Sequence, residues 1–356
     1  MTKYGFLDDY SEGCHPRILE ALGAANMRQQ KAYGNDDYSE QAKALIREHL
    51  GLHDVPIYFV SGGSQANLII IASALRSHEA VISAASGHIA LWETGAIEAT
   101  GHKIISVPTP DGKLTPDGVL EALAAHSQYP HVAKPRLVYV SNATEEGTLY
   151  SRAQLEALSA TCKANDLLLM LDGARLGSAV SAPGGDLTLK DVAQLTDVFW
   201  IGGTKAGALI GEAIVIPNPQ IAHEFPFHIK QRGALLAKGR VLGLQFLELF
   251  RDDLIFELCA SANAMAQDIS SAVVDAGYAL NTPTESNQVF PVLPIQTIER
   301  LRERFDFHDW AAADDDHAVV RFVTSWATSA SEVAALALAI SRSPQVASEP
   351  KTQTGG

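Results

Sequence analysis

The chain has 356 residues, 47% of them apolar, and its 27 basic and 41 acidic side chains give a net charge of −14. Such a chain is long enough for two globular domains and lacks the basic surface that binds a phosphate backbone, so nucleic acid is not an expected partner. Three widely spaced cysteines exclude a disulfide framework. The sequence shows neither a secretory leader nor an apolar run of the roughly 20 residues that a membrane span needs, so we predict a cytoplasmic protein that does not enter a membrane.

Short apolar runs rich in β-branched residues alternate with segments of helical period in the first part of the chain. The predicted strands are 58–60, 80–82, 104–107, 137–140, 167–171, 198–201 and 213–216. Alternating strands and helices are typical of a parallel sheet covered by helices. We therefore predict an α/β large domain over residues 1–250, with a mainly parallel sheet of seven strands.

The pattern becomes helical from residue 233 to residue 276, and two further strands are predicted at 287–293 and 318–324. Helices are predicted at 295–305 and 331–340. These elements indicate a smaller C-terminal α/β domain over residues 251–343. Residues 344–356 are polar and have no periodicity, so we predict a disordered tail there.

A turn rich in glycine and serine follows the first predicted strand. It contains Gly62, Gly63 and Ser64 and precedes a helical run. Glycine allows close backbone approach, Ser64 suits a helix N-cap, and the free N–H groups of a first helical turn favour a phosphate. A turn without a ligand is the alternative. The pattern is neither G-x-G-x-x-G nor a Walker loop, so a dinucleotide or nucleoside triphosphate site is not indicated.

Two later strands end in residues that can carry chemistry. Asp172 ends one of them, where it could hold a protonated ring nitrogen with Arg175 nearby; a local cap paired with Arg175 is the alternative. Lys205 follows the next strand among small residues, and a lysine held among apolar strands can lose its proton and attack a carbonyl. A solvated surface lysine is the alternative.

His88 follows the second predicted strand, so its ring could stack on a cofactor at the same edge of the sheet; a histidine on a helix face is the alternative. Together, a lysine, a carboxylate and a phosphate turn match the needs of pyridoxal phosphate. No set of His, Cys, Asp and Glu has the spacing of a zinc site, so no metal is predicted.

The order of these motifs resembles that of the pyridoxal-phosphate-dependent low-specificity threonine aldolases, in the β-eliminating lyase group of fold-type I enzymes. The resemblance extends from residue 6 to residue 340 and also involves segments 32–36, 143–148 and 320–326. It implies the fold-type I architecture, pyridoxal 5′-phosphate as cofactor and a homodimer or homotetramer. The implied reaction cleaves L-threonine, L-allo-threonine or a related β-hydroxy-α-amino acid to glycine and an aldehyde.

The resemblance also assigns roles to single residues. Lys205 corresponds to the lysine that binds the cofactor aldehyde, Asp172 to the partner of the ring nitrogen, and His88 to the histidine stacked on the ring. Arg321 corresponds to the arginine that binds the substrate carboxylate, with Arg175 close to the same group and to the cofactor hydroxyl. The expected phosphate contacts are Gly62, Gly63, Ser64 and, from a neighbouring subunit, Lys238, with Lys230 and Arg232 as substitutes.

Two positions depart from the family pattern. Asp8 stands where relatives carry a serine, and segment 141–145 lacks a histidine that many relatives carry. Both lie where the substrate side chain is expected, so Asp8 is a candidate substrate-binding residue and the preferred β-substituent stays open. As the base for the β-hydroxyl proton we favour His88, directly or through a water, over Asp8 or Glu145.

Two other functions remain open from the sequence. One is another pyridoxal-phosphate reaction on the same scaffold, β-elimination or transamination. The other is a binding protein that keeps the fold without catalysis. The presence of Lys205, Asp172, His88 and Arg321 in one chain argues against the second.

Overall fold

The computed structural model describes residues 3–341. Its strands are β1 (Tyr4–Gly5), β2 (Ile57–Val60), β3 (Glu79–Ala84), β4 (Lys103–Val107), β5 (Lys134–Ser141), β6 (Leu168–Asp172), β7 (Val198–Gly202), β8 (Glu212–Val215), β9 (Ala279–Leu280), β10 (Gln288–Val289), β11 (Pro291–Pro294), β12 (Phe305–Asp306), β13 (His308–Ala312) and β14 (His317–Val323). Its helices are α1 (Pro16–Ala25), α2 (Asp37–Leu50), α3 (Gly63–Ala74), α4 (His88–Leu91), α5 (Pro116–Ala125), α6 (Arg152–Ala164), α7 (Leu176–Val180), α8 (Leu189–Leu195), α9 (Pro219–Ala222), α10 (Phe225–Gln231), α11 (Arg240–Phe250), α12 (Leu254–Asp275), α13 (Ile295–Arg302) and α14 (Ala330–Ser341).

The large sheet has seven strands in the order β2-β8-β7-β6-β5-β3-β4, which confirms the predicted strands and their mainly parallel arrangement. Strand β8 is the exception, because it runs antiparallel to both β2 and β7. The reason is the short connection 203–211: a parallel return needs a crossover of about a dozen or more residues. Every residue of β3, β6, β7 and β8 is buried, which is why these strands are visible as mainly apolar runs.

The parallel strands β3, β5, β6 and β7 all end at the same edge of the sheet. One hydrophobic core lies on each face, the first beneath α2, α6, α8, α11 and α12 and the second beneath α3 and α10. Ligands of open α/β sheets bind at the carboxyl ends of the strands. The fold therefore directs the search for a site to the turns that follow β2, β3, β6 and β7.

The smaller unit contains a sheet in which β14 pairs with β10, β11 and β13. The strand predicted at 287–293 is divided into β10 and β11, and the helix predicted at 295–305 ends at Arg302 because β12 follows it. The predicted helical stretch from 233 to 276 is interrupted between α11 and α12, where Asp252 and Asp253 have left-handed backbone conformations. Strand β13 was not predicted, because its side chains are mostly exposed and it has no apolar pattern.

The N-terminal segment belongs structurally to the smaller unit. Strand β1 pairs in parallel with β12, and Phe6 packs in the same core as Phe305 and Phe322. The residues that follow Phe6 therefore lie at the boundary between the two units. The domain boundary at 250/251 stays a prediction, and the predicted tail at 344–356 lies outside the described residues.

Within residues 3–341, no helix has the length and apolarity that crossing a bilayer requires. Over the same residues, no group of three His, Cys, Asp or Glu side chains is placed to hold a metal ion.

Candidate active site

A cavity of about 290 Å³ opens at the carboxyl edge of the large sheet. It is formed by the turn after β2, the start of α4 and the ends of β5, β6 and β7. The structure brings most of the predicted site residues together here. Those that line the cavity are Gly62, Gly63, Ser64, His88, Asp172, Arg175 and Lys205.

The turn after β2 presents an uncapped helix N-terminus to this cavity. The N-cap of α3 is Gly62, and no side chain caps the helix, so the expectation of Ser64 as N-cap is wrong and Ser64 lies in the first turn. A Cβ atom at Gly63 would lie 2.8 Å from the ring of Trp200, so only glycine fits there. The free N–H groups and the helix dipole make this end of α3 suitable for a phosphate.

Asp172 ends β6 as a buried carboxylate held by three neutral donors. Its Oδ2 accepts hydrogen bonds from the Tyr139 hydroxyl at 2.5 Å and from Asn67 Nδ2 at 3.0 Å, and its Oδ1 accepts one from the Ala174 N–H at 2.9 Å. Burial and the charge of Asp172 raise the pKa of Tyr139 well above its ordinary value, so Tyr139 remains a donor. The carboxylate is therefore fixed in orientation where it lines the cavity.

Arg175 does not pair with Asp172, the alternative that the sequence left open; it pairs with Asp9. Its Nε and Nη2 donate to the two oxygens of Asp9 at 2.7 and 3.1 Å. Asn287 donates a further hydrogen bond to Asp9 Oδ2 at 2.8 Å. Burial raises the pKa of Asp9, but the positive charges of Arg175 and Lys205 outweigh burial and hold it below its ordinary value. Asp9 thus fixes the position of one arginine beside the cavity.

Lys205 lies in the one-turn 3₁₀ helix Thr204–Ala206, directly after β7. Its amine is 5.7 Å from the centre of the Tyr10 ring. Burial and the positive charge of Arg175 lower its pKa, and the negative charges of Asp9 and Asp172 offset only part of that effect. A larger fraction of this amine is therefore unprotonated than of a surface lysine, as a nucleophilic lysine requires.

His88 begins α4, and its backbone N–H and its Nδ1 each contact a glutamate. Its backbone N–H donates to Glu145 Oε1 at 2.9 Å, and its Nδ1 is 2.9 Å from Glu93 Oε1. Glu93 Oε1 also accepts a hydrogen bond from Asn67, which connects His88 to Asp172. Burial lowers the pKa of His88, but the hydrogen bond to Glu93 and the nearby carboxylates outweigh it and raise the pKa above its ordinary value.

Arg321 lies on β14 of the smaller unit, close enough to Arg175 and Tyr10 for their charges to interact. Its guanidinium carbon lies 4.9 Å from the centre of the Trp310 ring. Its Nε has no hydrogen-bond partner, and within residues 3–341 no carboxylate lies within ion-pair distance. Burial and the charge of Arg175 lower its pKa to about 10, so it remains a cation at neutral pH. Its Nη2 donates to the Leu7 carbonyl at 3.4 Å. A partly buried guanidinium without a carboxylate partner is suited to an anionic ligand.

Comparison with known proteins agrees with this geometry. The β-eliminating lyase family model matches residues 7–295. The low-specificity L-threonine aldolase of Pseudomonas aeruginosa is 34% identical over 334 residues, which cover 93% of this chain and 94% of that protein. The chain belongs to the β-eliminating lyase family.

Two solved structures extend the comparison. The threonine aldolase of Leishmania major is 46% identical, superposes with a TM-score of 0.94, and is matched over 95% of this chain and 99% of that one. An aspartate aminotransferase of Thermus thermophilus has a TM-score of 0.72 with only 16% identity, over 96% of this chain and 91% of that one, and so shares the fold alone. The low-specificity threonine aldolase resemblance and the fold-type I prediction are both confirmed.

The cavity fits the cofactor of this family, pyridoxal 5′-phosphate. It combines a lysine of lowered pKa, a buried carboxylate and an uncapped helix N-terminus, which are the groups that the cofactor aldehyde, ring nitrogen and phosphate need. Lys205, Asp172 and the turn at Gly62 and Gly63 would hold the cofactor. Each of these groups comes from a different strand end of the same sheet.

Three of the site residues expected from family membership do not line the cavity, namely Arg321, Asp8 and Lys238. Asp8 Oδ1 accepts hydrogen bonds from the Ser11 hydroxyl at 2.8 Å and the Tyr10 N–H at 3.2 Å, and its charge acts on Arg321. Lys238 is exposed between α10 and α11, and the amine of Lys230 lies 5.0 Å from the centre of the Tyr33 ring. Their roles toward substrate and phosphate stay predictions.

Several residues of the site were missed by sequence reasoning. Asn67 is the clearest: besides its two donated hydrogen bonds, it accepts one from Trp200 Nε1 at 3.0 Å. The available signal was its place one turn after the glycine turn on α3. The other missed residues are Asp9, Glu93, Tyr139, Trp200 and Glu212.

Proposed function

We propose that this protein cleaves L-threonine, L-allo-threonine or a related β-hydroxy-α-amino acid to glycine and an aldehyde, with pyridoxal 5′-phosphate as cofactor. One observation carries the proposal: Lys205, Asp172 and the uncapped N-terminus of α3 line a single cavity. Membership of a family whose relatives are named threonine aldolases supports the substrate class.

Each residue has a definite task in this reaction. When bound, the cofactor supplies an aldehyde for the lysine and a protonated ring that accepts the electron pair left by carbon–carbon cleavage. Lys205 offers its unprotonated amine to that aldehyde. Asp172 holds the proton on the ring nitrogen, because its fixed carboxylate favours the cationic form. Arg321 binds the substrate carboxylate through its guanidinium, whose Nε has no hydrogen-bond partner in the described residues.

We assign the base for the β-hydroxyl proton to His88, acting directly or through a water. Glu93 holds its Nδ1, so Nε2 is the nitrogen left to take up a proton. Asp8 is less suited because it does not line the cavity and its Oδ1 already accepts two hydrogen bonds. Glu145 is less suited because its Oε1 is occupied by the His88 N–H and by the Ser141 hydroxyl, 3.0 Å away.

The experiment that tests this function measures aldehyde release from L-threonine, L-allo-threonine and their D-enantiomers, with pyridoxal phosphate present. We expect equimolar glycine and aldehyde from at least one of the L-isomers. Their ratio would give the preference at the β-carbon. Ammonia with a keto acid would instead indicate β-elimination, and amino transfer to a keto acid would indicate transamination. A protein that takes up no cofactor would contradict catalysis altogether.

We further propose a cytoplasmic homo-oligomer, a dimer or a tetramer of two dimers, in which Lys238 completes the phosphate site of a neighbouring subunit. Exposed apolar side chains support an association surface, since Met27 and Phe227 are 90% and 74% exposed. Light scattering tests this proposal together with the cofactor affinity of Lys238→Ala, which we expect to fall. A fully active monomer would contradict it.

A further inference from the structure

A buried carboxyl group that the mechanism above does not use lies beside the lysine. Glu212 is the first residue of β8 and is 4% exposed. In the sheet it pairs with Val60 at the end of β2 and with Gly202 at the end of β7. Its backbone therefore stands between the turn suited to phosphate and the turn that carries the lysine, and its side chain lines the same cavity.

The side chain of Glu212 holds the lysine turn at two points. Its Oε2 accepts the N–H of Gly203 and its Oε1 accepts the hydroxyl of Thr204, each at 2.9 Å. The Gly211 N–H donates to the same hydroxyl oxygen at 3.1 Å, which ties the start of β8 to this turn. These contacts fix the two residues immediately before Lys205, so they set the direction from which its side chain enters the cavity.

A carboxyl group in this place is costly to bury. Within residues 3–341, no cation lies within ion-pair distance of Glu212, so no salt bridge offsets its desolvation. One N–H and one O–H donate to separate oxygens of this side chain. A carboxylate has two such acceptor oxygens, whereas an amide has one. Both the shape and the charge of this residue therefore serve the turn next to it.

We propose that Glu212 is a positioning residue for Lys205: its two oxygens hold the turn that carries the lysine, and its carboxylate stabilises a proton on the lysine nitrogen. This inference rests on the proposed function, because it takes Lys205 as the residue that binds the cofactor. Glu212 adds a negative charge, at the start of β8, that favours the protonated lysine nitrogen. Its effect is opposite in sign to that of Arg175.

The surroundings of Glu212 determine how it titrates. Burial raises its pKa to about 7; Lys205 in the adjacent turn works against that rise, and Asp172 on β6 adds to it. From helix α11, the apolar side chains of Leu242 and Phe246 lie at this turn, and the uncharged Gln245 accepts the N–H groups of the following residues 209 and 210. From β2, the backbone carbonyl of Val60 lies beside Gly211. The carboxyl group and the lysine nitrogen therefore titrate as an interacting pair, and the lysine nitrogen also responds to Asp9 and Arg175.

The test uses the cofactor-loaded protein and follows the absorbance of the Lys205-bound cofactor against pH. In the wild type we expect a titration broader than that of a single proton. Glu212→Gln should give a single-proton curve with its midpoint about one pH unit lower, because the negative charge is lost. Glu212→Asp keeps the charge but is one methylene shorter, so the midpoint should stay while the cofactor dissociates into a scavenger several-fold faster than from the wild type.

Glu79→Gln is the matched control, because Glu79 is also a buried glutamate, 6% exposed, in the same sheet. It begins β3, at the amino-terminal ends of the parallel strands and so at the end away from the cavity. This variant should change neither measurement. A wild-type midpoint in Glu212→Gln, wild-type dissociation in Glu212→Asp, or an equal effect of Glu79→Gln would each overturn the proposal.

A second measurement separates this proposal from the function on which it rests. In the cofactor-free protein, acetylation of Lys205 read by peptide mass spectrometry at neutral pH should be up to about tenfold faster in Glu212→Gln, since one pKa unit is a tenfold change in the unprotonated amine. An unchanged rate would overturn the role of Glu212 even if no aldolase activity were found. A faster rate without cofactor binding in the wild type would instead contradict the proposed function.

Discussion

Replacing Asp9 by asparagine tests whether the buried ion pair with Arg175 holds the two units together at the cavity. Asp9 and Arg175 side chains are 1% and 10% exposed, and two hydrogen bonds join them. Removing one partner of a buried pair costs about 3–5 kcal/mol, because the remaining charge is left without compensation. Asparagine keeps one acceptor oxygen, so we expect the free energy of unfolding at neutral pH to fall by about 3 kcal/mol, at the lower end of that range.

The assay is denaturant unfolding of the cofactor-free protein, followed by tryptophan fluorescence at several pH values. The folded-state pKa of Asp9 lies below its ordinary value of 3.8, so the stabilisation by this carboxylate is complete well above that value and is lost as the pH falls through the folded pKa. The deficit of Asp9→Asn should therefore be largest at neutral pH and shrink in acid.

The matched control is Asp166→Asn. Asp166 also pairs with an arginine, Arg136, at 2.9 Å, but its side chain is 79% exposed. Exposed pairs contribute about 0–1 kcal/mol, so this variant should unfold close to the wild type. A loss of less than about 1 kcal/mol in Asp9→Asn, or a loss no larger than that of Asp166→Asn, would refute the reasoning.

Three further predictions concern the proposed reaction. Lys205→Ala should abolish both the absorbance of bound cofactor and aldehyde release, and survival of both would remove the central assignment. His88→Asn should slow aldehyde release by about 10²–10⁴-fold. The acid limb of the wild-type pH–rate profile, set by a histidine whose pKa is raised above 6.5, should be absent in the variant. An unchanged limb would exclude His88 as the base. Arg321→Lys should raise the KM, because lysine cannot form a bidentate pair with a carboxylate, while equilibrium dialysis finds the cofactor content unchanged; loss of cofactor would place Arg321 at the phosphate.

The large sheet was predictable from the sequence because strands that are buried on both faces consist mainly of apolar residues. Strands β6 and β7 are wholly buried, so residues 168–171 and 198–201 are unbroken apolar runs. The same reasoning missed β13, whose exposed residues have no such pattern. It also merged β10 with β11, because a break of one residue at Phe290 leaves the apolar composition unchanged.

The candidate site was predictable where one residue carries the chemistry, and unpredictable where a pair does. Lys205 and Asp172 stand out because each follows an apolar strand directly. Asp9 does not, because its partner Arg175 is 166 positions away in the chain. Asn67 likewise belongs to the site because it donates a hydrogen bond to Asp172, which is 105 positions later in the chain. Contacts of this separation are created by the order of the strands in the sheet, which a single sequence does not state.

The two ends of the cavity are built in different ways, and this bears on where the chain departs from its family. The cofactor end consists of buried strand ends of one sheet, β6 and β7, with Asp172 held by three donors. The proposed substrate contacts come from three parts of the chain, at and beside the cavity: Arg175 from the large sheet, Asp9 from the N-terminal segment, and Arg321 with Asn287 from the smaller unit. A change in one of those parts leaves the strand ends intact. Asp8 lies in the N-terminal segment, next to Asp9, which anchors Arg175. We therefore predict that a change at Asp8 affects the fit of the substrate and leaves the cofactor contacts as they are.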